Sequence, residues 1–321
     1  MMRATTDFDT PWAAQLRADR LRRWSSNASF AISALLVIAK GYVWLATDSL
    51  SLLASVVDAV VDVVAALVTA LGVRFAMRPA DAAHRFGHGK AESLAALTQA
   101  ILLFGATGML ILDSVDRLIR PHAVDRIGLG LAVIAGSTLV TGALVFFENY
   151  VAMRTRSQAI AADRMHHLTD VAANLAALLA LGLTRLTGWP FFDPLFAMGI
   201  AIFFGWTALR IAHSAAQTLL DRELPEAQRQ FIIRAVMAHS AARAVHDLRT
   251  RRAGAQRFIE FHLELDGSLS LLASHAIADE VEQALKIALP GSEIIVHVEP
   301  AGILDDRLDD RLELGSAGPT R

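Results

Sequence analysis

The sequence contains no cysteine, which excludes disulfide bonds, thiolate metal sites and cysteine nucleophiles together. Charged residues are also scarce, at 19% of 321 residues, whereas soluble domains carry about 25%. The 30 basic and 32 acidic residues nearly balance, so the basic excess that is typical of nucleic-acid-binding proteins is missing. Any metal site must therefore use His, Asp and Glu, and no nucleic-acid partner is expected.

Apolar residues, by contrast, make up 54% of the chain, and the mean hydropathy is +0.42. Six stretches approach the ~20 apolar residues that a helix needs to cross the hydrocarbon of a bilayer. They are residues 25–45, 50–73, 94–119, 127–147, 168–186 and 191–211. The sequence therefore predicts a mainly α membrane protein with a six-helix transmembrane domain.

The basic residues outside these stretches predict the orientation in the membrane. Lys and Arg are concentrated in residues 1–24, in the loop between the second and third stretches, and in the loop between the fourth and fifth. Basic loops stay on the cytoplasmic side. We therefore expect both termini to be cytoplasmic.

The C-terminal part has the composition of a soluble domain from about Arg222 onward. Its patterns predict helix, strand, strand, helix and strand, with His262 and Glu264 on the polar face of the second strand. The expected domains are a cytoplasmic arm (1–24), the transmembrane domain (25–212), a cytoplasmic α/β domain (213–300) and a disordered tail (301–321).

Acidic residues inside the apolar stretches are the strongest functional signal. Asp58 and Asp62 are four residues apart, so they share one helix face, and His166 and Asp170 repeat that spacing. An Asp at the centre of a membrane helix costs about 2.5–3.5 kcal/mol on insertion scales. Helix caps or interhelical hydrogen bonds are the alternative reading, but two matched pairs favour a shared site. His167 is expected to point about 100° away from the pair and to take no part.

One imidazole and three carboxylates suit Zn²⁺, which accepts tetrahedral N/O ligands. Fe²⁺, Mn²⁺ and Cd²⁺ can use the same ligands, whereas Ca²⁺ prefers six to eight oxygens. Three carboxylates in a low-dielectric pocket repel one another, so the empty site should hold protons, which metal binding releases. These residues therefore predict an antiporter that exchanges a metal ion for H⁺.

Several segments of the sequence resemble the cation diffusion facilitator family, and most closely its bacterial zinc/ferrous-iron efflux branch. They are SLSLLASVVDAVVD, PADAAHRFGHGKAESLAAL, AADRMHHLTD, LLDRELP, HDLRTRRAG and FHLEL. The resemblance covers roughly residues 15–300. It implies a homodimer in the bacterial inner membrane, with a metallochaperone-like (αββαβ) cytoplasmic domain and with Zn²⁺ both transported and bound for structure or regulation.

The resemblance also implies site residues at matching positions. The transport site is Asp58, Asp62, His166 and Asp170; the loop site is Asp81, His84 and His88; the cytoplasmic binuclear site is His246, His262, His275, His297 and Glu299; and a structural charge pair is Lys90 with Asp221. Glu299 departs from the family pattern, which has Asp there. From the residues alone, the loop histidines could be a solvated turn, and the strand histidines could be ordinary polar-face residues.

The function expected is therefore Zn²⁺ efflux driven by H⁺, with Fe²⁺ or Cd²⁺ as further substrates. A membrane-anchored zinc sensor would explain the cytoplasmic histidines but not Asp58 and Asp62. A membrane metallohydrolase needs an open metal position for water, which a four-ligand site lacks, and no HExxH motif is present. We therefore expect a secondary active transporter and not an enzyme.

Overall fold

The computed structural model describes residues 11–47, 50–120, 128–189, 191–303 and 307. The chain divides into two compact units, with the boundary between Leu219 and Leu220. In the described residues, the first unit consists of six long α-helices, and the second of a three-stranded sheet with two helices. Most of the predicted tail, at 304–306 and 308–321, and residues 1–10 of the predicted arm lie outside the described residues.

The first unit is built from helices long enough to cross a membrane. They are α1 (Pro11–Thr47), α2 (Leu50–Ala76), α3 (Ala91–Ile119), α4 (Gly128–Thr155), α5 (Gln158–Thr187) and α6 (Phe192–Leu219). Among the described residues, all but α4 contain a segment apolar enough to span a bilayer. The 28 residues of α4 extend about 42 Å, which exceeds the ~30 Å of hydrocarbon. The predicted mainly helical membrane domain is confirmed.

Several helices extend beyond the predicted apolar stretches. α5 begins at Gln158 rather than at residue 168, so it contains His166 in its third turn. The hydroxyl of Ser157 accepts a hydrogen bond from the N–H of Ile160, and Gly188 ends the helix with φ 77°. Hydropathy locates only the part of a helix that crosses hydrocarbon, and polar residues at the aqueous end continue the same helix.

Close helix contacts and buried hydrogen bonds hold the first unit together. α3 packs against α6, α2 and α5, and α1 packs against α2 and α4. A Cβ added to Gly72 would lie 2.4 Å from Cβ of Ala95, so α2 and α3 approach too closely for a side chain there. Gln99 on α3 donates hydrogen bonds to Oγ1 of Thr69 (2.8 Å) and to the carbonyl of Ala65 (2.7 Å) on α2.

The second unit has the predicted order of elements: α7 (Glu226–Met237), β1 (Ala244–Ala253), β2 (Gln256–Leu265), α8 (Leu271–Ala288) and β3 (Ser292–Pro300). β2 is the central strand, antiparallel to β1 and parallel to β3. The alternation in β2 buries Ile259, Phe261 and Leu263 against Val281 and Leu285 of α8. The predicted αββαβ domain is confirmed, and the opposite face of its sheet is free to carry polar side chains.

Candidate metal centres

Polar residues of α2 and α5 meet inside the membrane unit, where His166 is buried and Asp62 and Asp170 are partly buried. Nε2 of His166 lies 2.9 Å from Oδ1 of Asp62. Asp62, His166 and Asp170 each place one potential ligand atom within 4.8 Å of the other two. Asp58 lies on α2, but its side chain is outside the described residues. The structure therefore brings together the three predicted transport-site residues whose side chains it describes.

Asp62, His166 and Asp170, the predicted transport residues and here called the transport cluster, are partly shielded from solvent and have Lys40 nearby. His166 is only 4% exposed, and its Nδ1 has no hydrogen-bond partner among the described residues. Lys40 of α1 lines a cavity of about 30 Å³ together with Asp62 and Asp170. A cavity of this size has room for at least one water molecule. The positive charge of Lys40 is therefore placed beside the cavity that the carboxylates share.

The loop between α2 and α3 brings its three predicted ligands together. Asp81 lies 3.3 Å from Nδ1 of His84 through Oδ1, and 3.4 Å from Nε2 of His88 through Oδ2. The centres of the two imidazole rings are 4.5 Å apart. A positive φ of 75° at Gly87 allows the chain to turn between the two histidines. Asp81 and His84 are exposed, so an ion could reach this group from solution.

Backbone hydrogen bonds fix the carboxylate of Asp81. Oδ1 accepts hydrogen bonds from the N–H groups of His84 (2.7 Å) and Ala83 (2.9 Å). The bond from His84, foremost, lowers the pKa of Asp81 below its ordinary value of 3.8. The ionised carboxylate therefore stabilises the folded turn fully above pH 3.8, the ordinary pKa. This stabilisation is lost only as the pH falls through the lowered pKa of the folded state.

Three histidines lie side by side across the sheet of the second unit. In the strand register, His246 faces His262, and His262 faces His297. Glu299 contacts all three, at 2.7 Å from His262, 3.3 Å from His246 and 3.4 Å from His297. His275, on α8, instead lies 3.5 Å from Asp279. In the described chain, Glu299 thus joins three predicted ligands, and His275 stays apart from them.

Two charged residues that the predicted site did not include extend the cytoplasmic group. Oε1 of Glu264 lies 3.3 Å from Nδ1 of His246 and accepts a 2.6 Å hydrogen bond from Arg307. The period-2 pattern placed Glu264 on the same polar face of β2 as His262, but it did not indicate the contact with His246. The contact with Arg307 joins residues 43 apart in the chain, and no local pattern indicates such a contact.

A second buried group of ligand-type residues was also missed. Glu148 of α4 and Asp163 and His167 of α5 place potential ligand atoms within 4.8 Å of one another. His167 was expected to take no part beside the pair of His166 and Asp170, and it belongs to this second group, where its Nδ1 lies 3.1 Å from Oε2 of Glu148. The spacing of Asp163 and His167, again four residues, was the available signal.

The predicted charge pair involves one residue from each unit. Lys90, in the first unit, donates a hydrogen bond to the carbonyl of Leu219 (3.2 Å). Asp221, in the second unit, lies 3.5 Å from Nη1 of Arg251. An ion pair between Lys90 and Asp221 stays a prediction.

Comparisons with known proteins cover nearly the whole chain. A family profile described as the cation efflux transmembrane domain matches residues 26–220, and one described as the cation efflux protein cytoplasmic domain matches residues 224–301. Cation-efflux pump FieF of Klebsiella pneumoniae is 44% identical over 285 residues, 89% of this chain and 95% of that protein. Cation-efflux pump FieF of Salmonella choleraesuis (strain SC-B67) has the same identity and coverage.

A solved structure of the zinc form of CzrB is 39% identical and covers 27% of this chain and 99% of that chain, with a TM-score of 0.26.

Carboxylates and an imidazole that meet between membrane-spanning helices are typical of a membrane transporter of cations. The chain belongs to the cation efflux family, the cation diffusion facilitators. It is a multi-pass cation efflux transporter with a cytoplasmic domain, and it is not an enzyme.

Proposed function

We propose that the protein exports Zn²⁺ from the cytoplasm in exchange for H⁺, through a site formed by Asp58, Asp62, His166 and Asp170. The observation that carries this proposal is the 2.9 Å approach of His166 to Asp62 between two membrane helices, with Asp170 in the same group. A buried ionisable cluster in a membrane is expensive and marks an ion pathway. If the site opens in turn to each side of the membrane, an ion bound there is carried across it.

Exchange for protons follows from the charge of the site. A divalent ion needs deprotonated carboxylates and a neutral imidazole. Without the ion, carboxylates this close in a low-dielectric interior repel one another and take up protons instead. Each state of the site thus excludes the other, and inward H⁺ movement can drive outward metal movement.

The donor set supports Zn²⁺ as the main substrate. The described ligands are one imidazole and two carboxylates, and zinc accepts such N/O sets in tetrahedral geometry. Fe²⁺ and Cd²⁺ are further substrates, because they use the same ligand types. The similar proteins named cation-efflux pump FieF are consistent with an efflux direction.

The other predicted residues are proposed to bind structural or regulatory zinc. Asp81, His84 and His88 form the loop site. His246, His262, His275, His297 and Glu299 form the cytoplasmic site, which the short contacts of Glu299 support for three of the histidines. His275 joins this site only through a movement of α8 or by contributing to a partner subunit.

We further propose the organisation that the family resemblance implies. The protein is a homodimer in the bacterial inner membrane, with both termini in the cytoplasm. Its domains are the arm at 1–24, the transmembrane domain at 25–212, the cytoplasmic domain at 213–300 and the tail at 301–321. Lys90 and Asp221 are proposed as the structural charge pair that the resemblance implies. A zinc sensor would not need the ligands of the membrane unit.

Zinc flux into proteoliposomes tests the proposal. Asp62→Ala removes a ligand of the transport cluster, and we expect it to abolish zinc flux while the protein remains folded. Asp113→Ala is the matched control, because Asp113 is a half-exposed acid on α3 that pairs with Arg117. Normal flux in Asp62→Ala would refute the assignment of the transport site.

A further inference from the structure

Glu148, Asp163 and His167 form an almost completely buried group of ionisable residues. The three residues are 0%, 1% and 3% exposed, respectively. Each offers a ligand atom within 4.8 Å of the other two, and they come from α4 and α5. Charged residue types are almost never fully buried unless they are paired or bind an ion.

Two atoms of this group are left without partners. Among the described residues, neither Nε2 of His167 nor Oε1 of Glu148 has a hydrogen-bond partner. A buried polar atom left unsatisfied costs about 1–3 kcal/mol. A bound metal ion would give both atoms a partner, because each can act as a metal ligand.

The charge of the group also favours a cation. Glu148 and Asp163 bring two carboxylates into a low-dielectric interior. Within the described ranges, the ion pair of Glu148 is with His167, and no Lys or Arg pairs with either carboxylate. A divalent cation would neutralise the two carboxylates without using a basic side chain.

Neighbouring helices hold Asp163 in place. Its Oδ2 accepts a hydrogen bond from Ser29 of α1 (2.8 Å), and its Oδ1 accepts one from Gln99 of α3 (3.0 Å). Hydrogen bonds of this kind orient the ligands of metal sites. A purely structural brace would explain these two bonds, but it would leave the unpartnered atoms of Glu148 and His167 unexplained.

The group is adjacent to the transport cluster. Asp163 and His167 on α5 precede His166 and Asp170 by three residues, which is about 4.5 Å along the helix axis. The ring centres of His166 and His167 are 5.9 Å apart. His167 also lines the cavity that Asp62 and Asp170 line. A short path therefore connects the two groups.

We propose that Glu148, Asp163 and His167 form a second divalent-cation site within the membrane unit, from which the ion passes to the transport cluster through the shared cavity. One imidazole and two carboxylates make the same kind of N/O donor set as the described transport ligands. The binding at this site is independent of the proposed transport function, which supplies only the destination of the ion.

Zinc stoichiometry of the full-length protein in detergent tests this site. Two divalent ions this close repel each other, so the measurement uses an Asp62→Ala background, in which the transport cluster is disabled. Equilibrium dialysis against Zn²⁺ should show one ion less per protomer when Glu148→Gln is added. Glu92→Gln, a buried carboxylate of α3 that contacts Arg22, is the matched control and should leave the count unchanged.

An equal zinc count with and without Glu148→Gln would overturn the proposal, whether or not the variant melts at a lower temperature. Normal transport by Asp62→Ala would refute the transport assignment but leave this result untouched. If Glu148→Gln does not fold, anomalous scattering at the zinc edge from the Asp62→Ala protein decides instead. A peak between Asp163 and His167 supports the site, and the absence of a peak there overturns it.

Discussion

His166 provides the imidazole of the transport cluster, and its Nε2 is held 2.9 Å from Asp62. The other described members, Asp62 and Asp170, offer oxygen. Nitrogen ligands favour zinc over harder ions, which prefer oxygen. The preference of the site among divalent ions should therefore depend on this one side chain.

We expect His166→Asp to shift ion preference from Zn²⁺ towards Mn²⁺ by about tenfold, which corresponds to about 1.4 kcal/mol. A competition flux assay with both ions in proteoliposomes measures the ratio. His213→Asp, at an exposed position of α6, makes the same substitution away from the described metal groups and should leave the ratio unchanged. An unaltered ratio in His166→Asp would count against the assignment.

At the scale of residues, pairs within one helix could be predicted and pairs between helices could not. The four-residue spacing of His166 and Asp170 places both on one face of α5, and the sequence shows that spacing directly. Glu148 and His167 are 19 residues apart on different helices. The contact between them depends on how α4 packs against α5, which no local spacing encodes.

The loop between α2 and α3, the proposed loop site, is a small turn organised by one side chain. Asp81 accepts two backbone hydrogen bonds and contacts both His84 and His88. We expect Asp81→Ala to remove one zinc ion per protomer in equilibrium dialysis, because it deletes a ligand and the bonds that shape the turn. Zinc flux through the transport cluster should continue.

The control for the loop is Arg85→Ala, an exposed position in the same turn that should leave the zinc count unchanged. If Asp81→Ala retains the full zinc count, the loop histidines are a solvated turn and not a metal site.

The close approach of α2 and α3 is a second feature at the scale of elements. A Cβ on Gly72 would lie 2.4 Å from Cβ of Ala95, whereas one on Gly105 would meet nothing within 4 Å. Overpacking typically costs about 1–3 kcal/mol. We expect Gly72→Ala to lower the free energy of unfolding by about this amount, measured as a lower melting temperature in detergent.

Gly105→Ala adds the same methyl group to α3 in open space and should not lower the melting temperature. Equal melting temperatures for the two variants would show that α2 and α3 can separate without cost.

The spacing of apolar residues predicted most of the helices and strands, but it did not predict every helix end or the pairing of the strands. The alternation of β2 identified its core face, because period 2 places Ile259, Phe261 and Leu263 together. The start of α5 was placed too late, because hydropathy does not detect the polar turns from Gln158 to His166. The parallel pairing of β3 with β2 could not be read from either strand, because strand pairing is not a local property.

At the scale of the whole molecule, composition alone separated a membrane part from a soluble part. The scarcity of charge before Arg222 predicted the helical unit, and the described helices confirm it. The distribution of basic residues among the loops predicted a cytoplasmic C-terminal part. This prediction agrees with the match of residues 224–301 to a cytoplasmic domain. Homodimer formation involves a second chain and stays a proposal.

The central claim, that metal and protons use one site in alternation, is tested most directly by recording zinc and proton movement together in proteoliposomes. With a zinc gradient as the only driving force, the account predicts that zinc movement in one direction moves protons in the other. Asp62→Ala should abolish both movements together. Zinc flux that leaves the internal pH unchanged, or proton movement that persists in Asp62→Ala, would contradict the account.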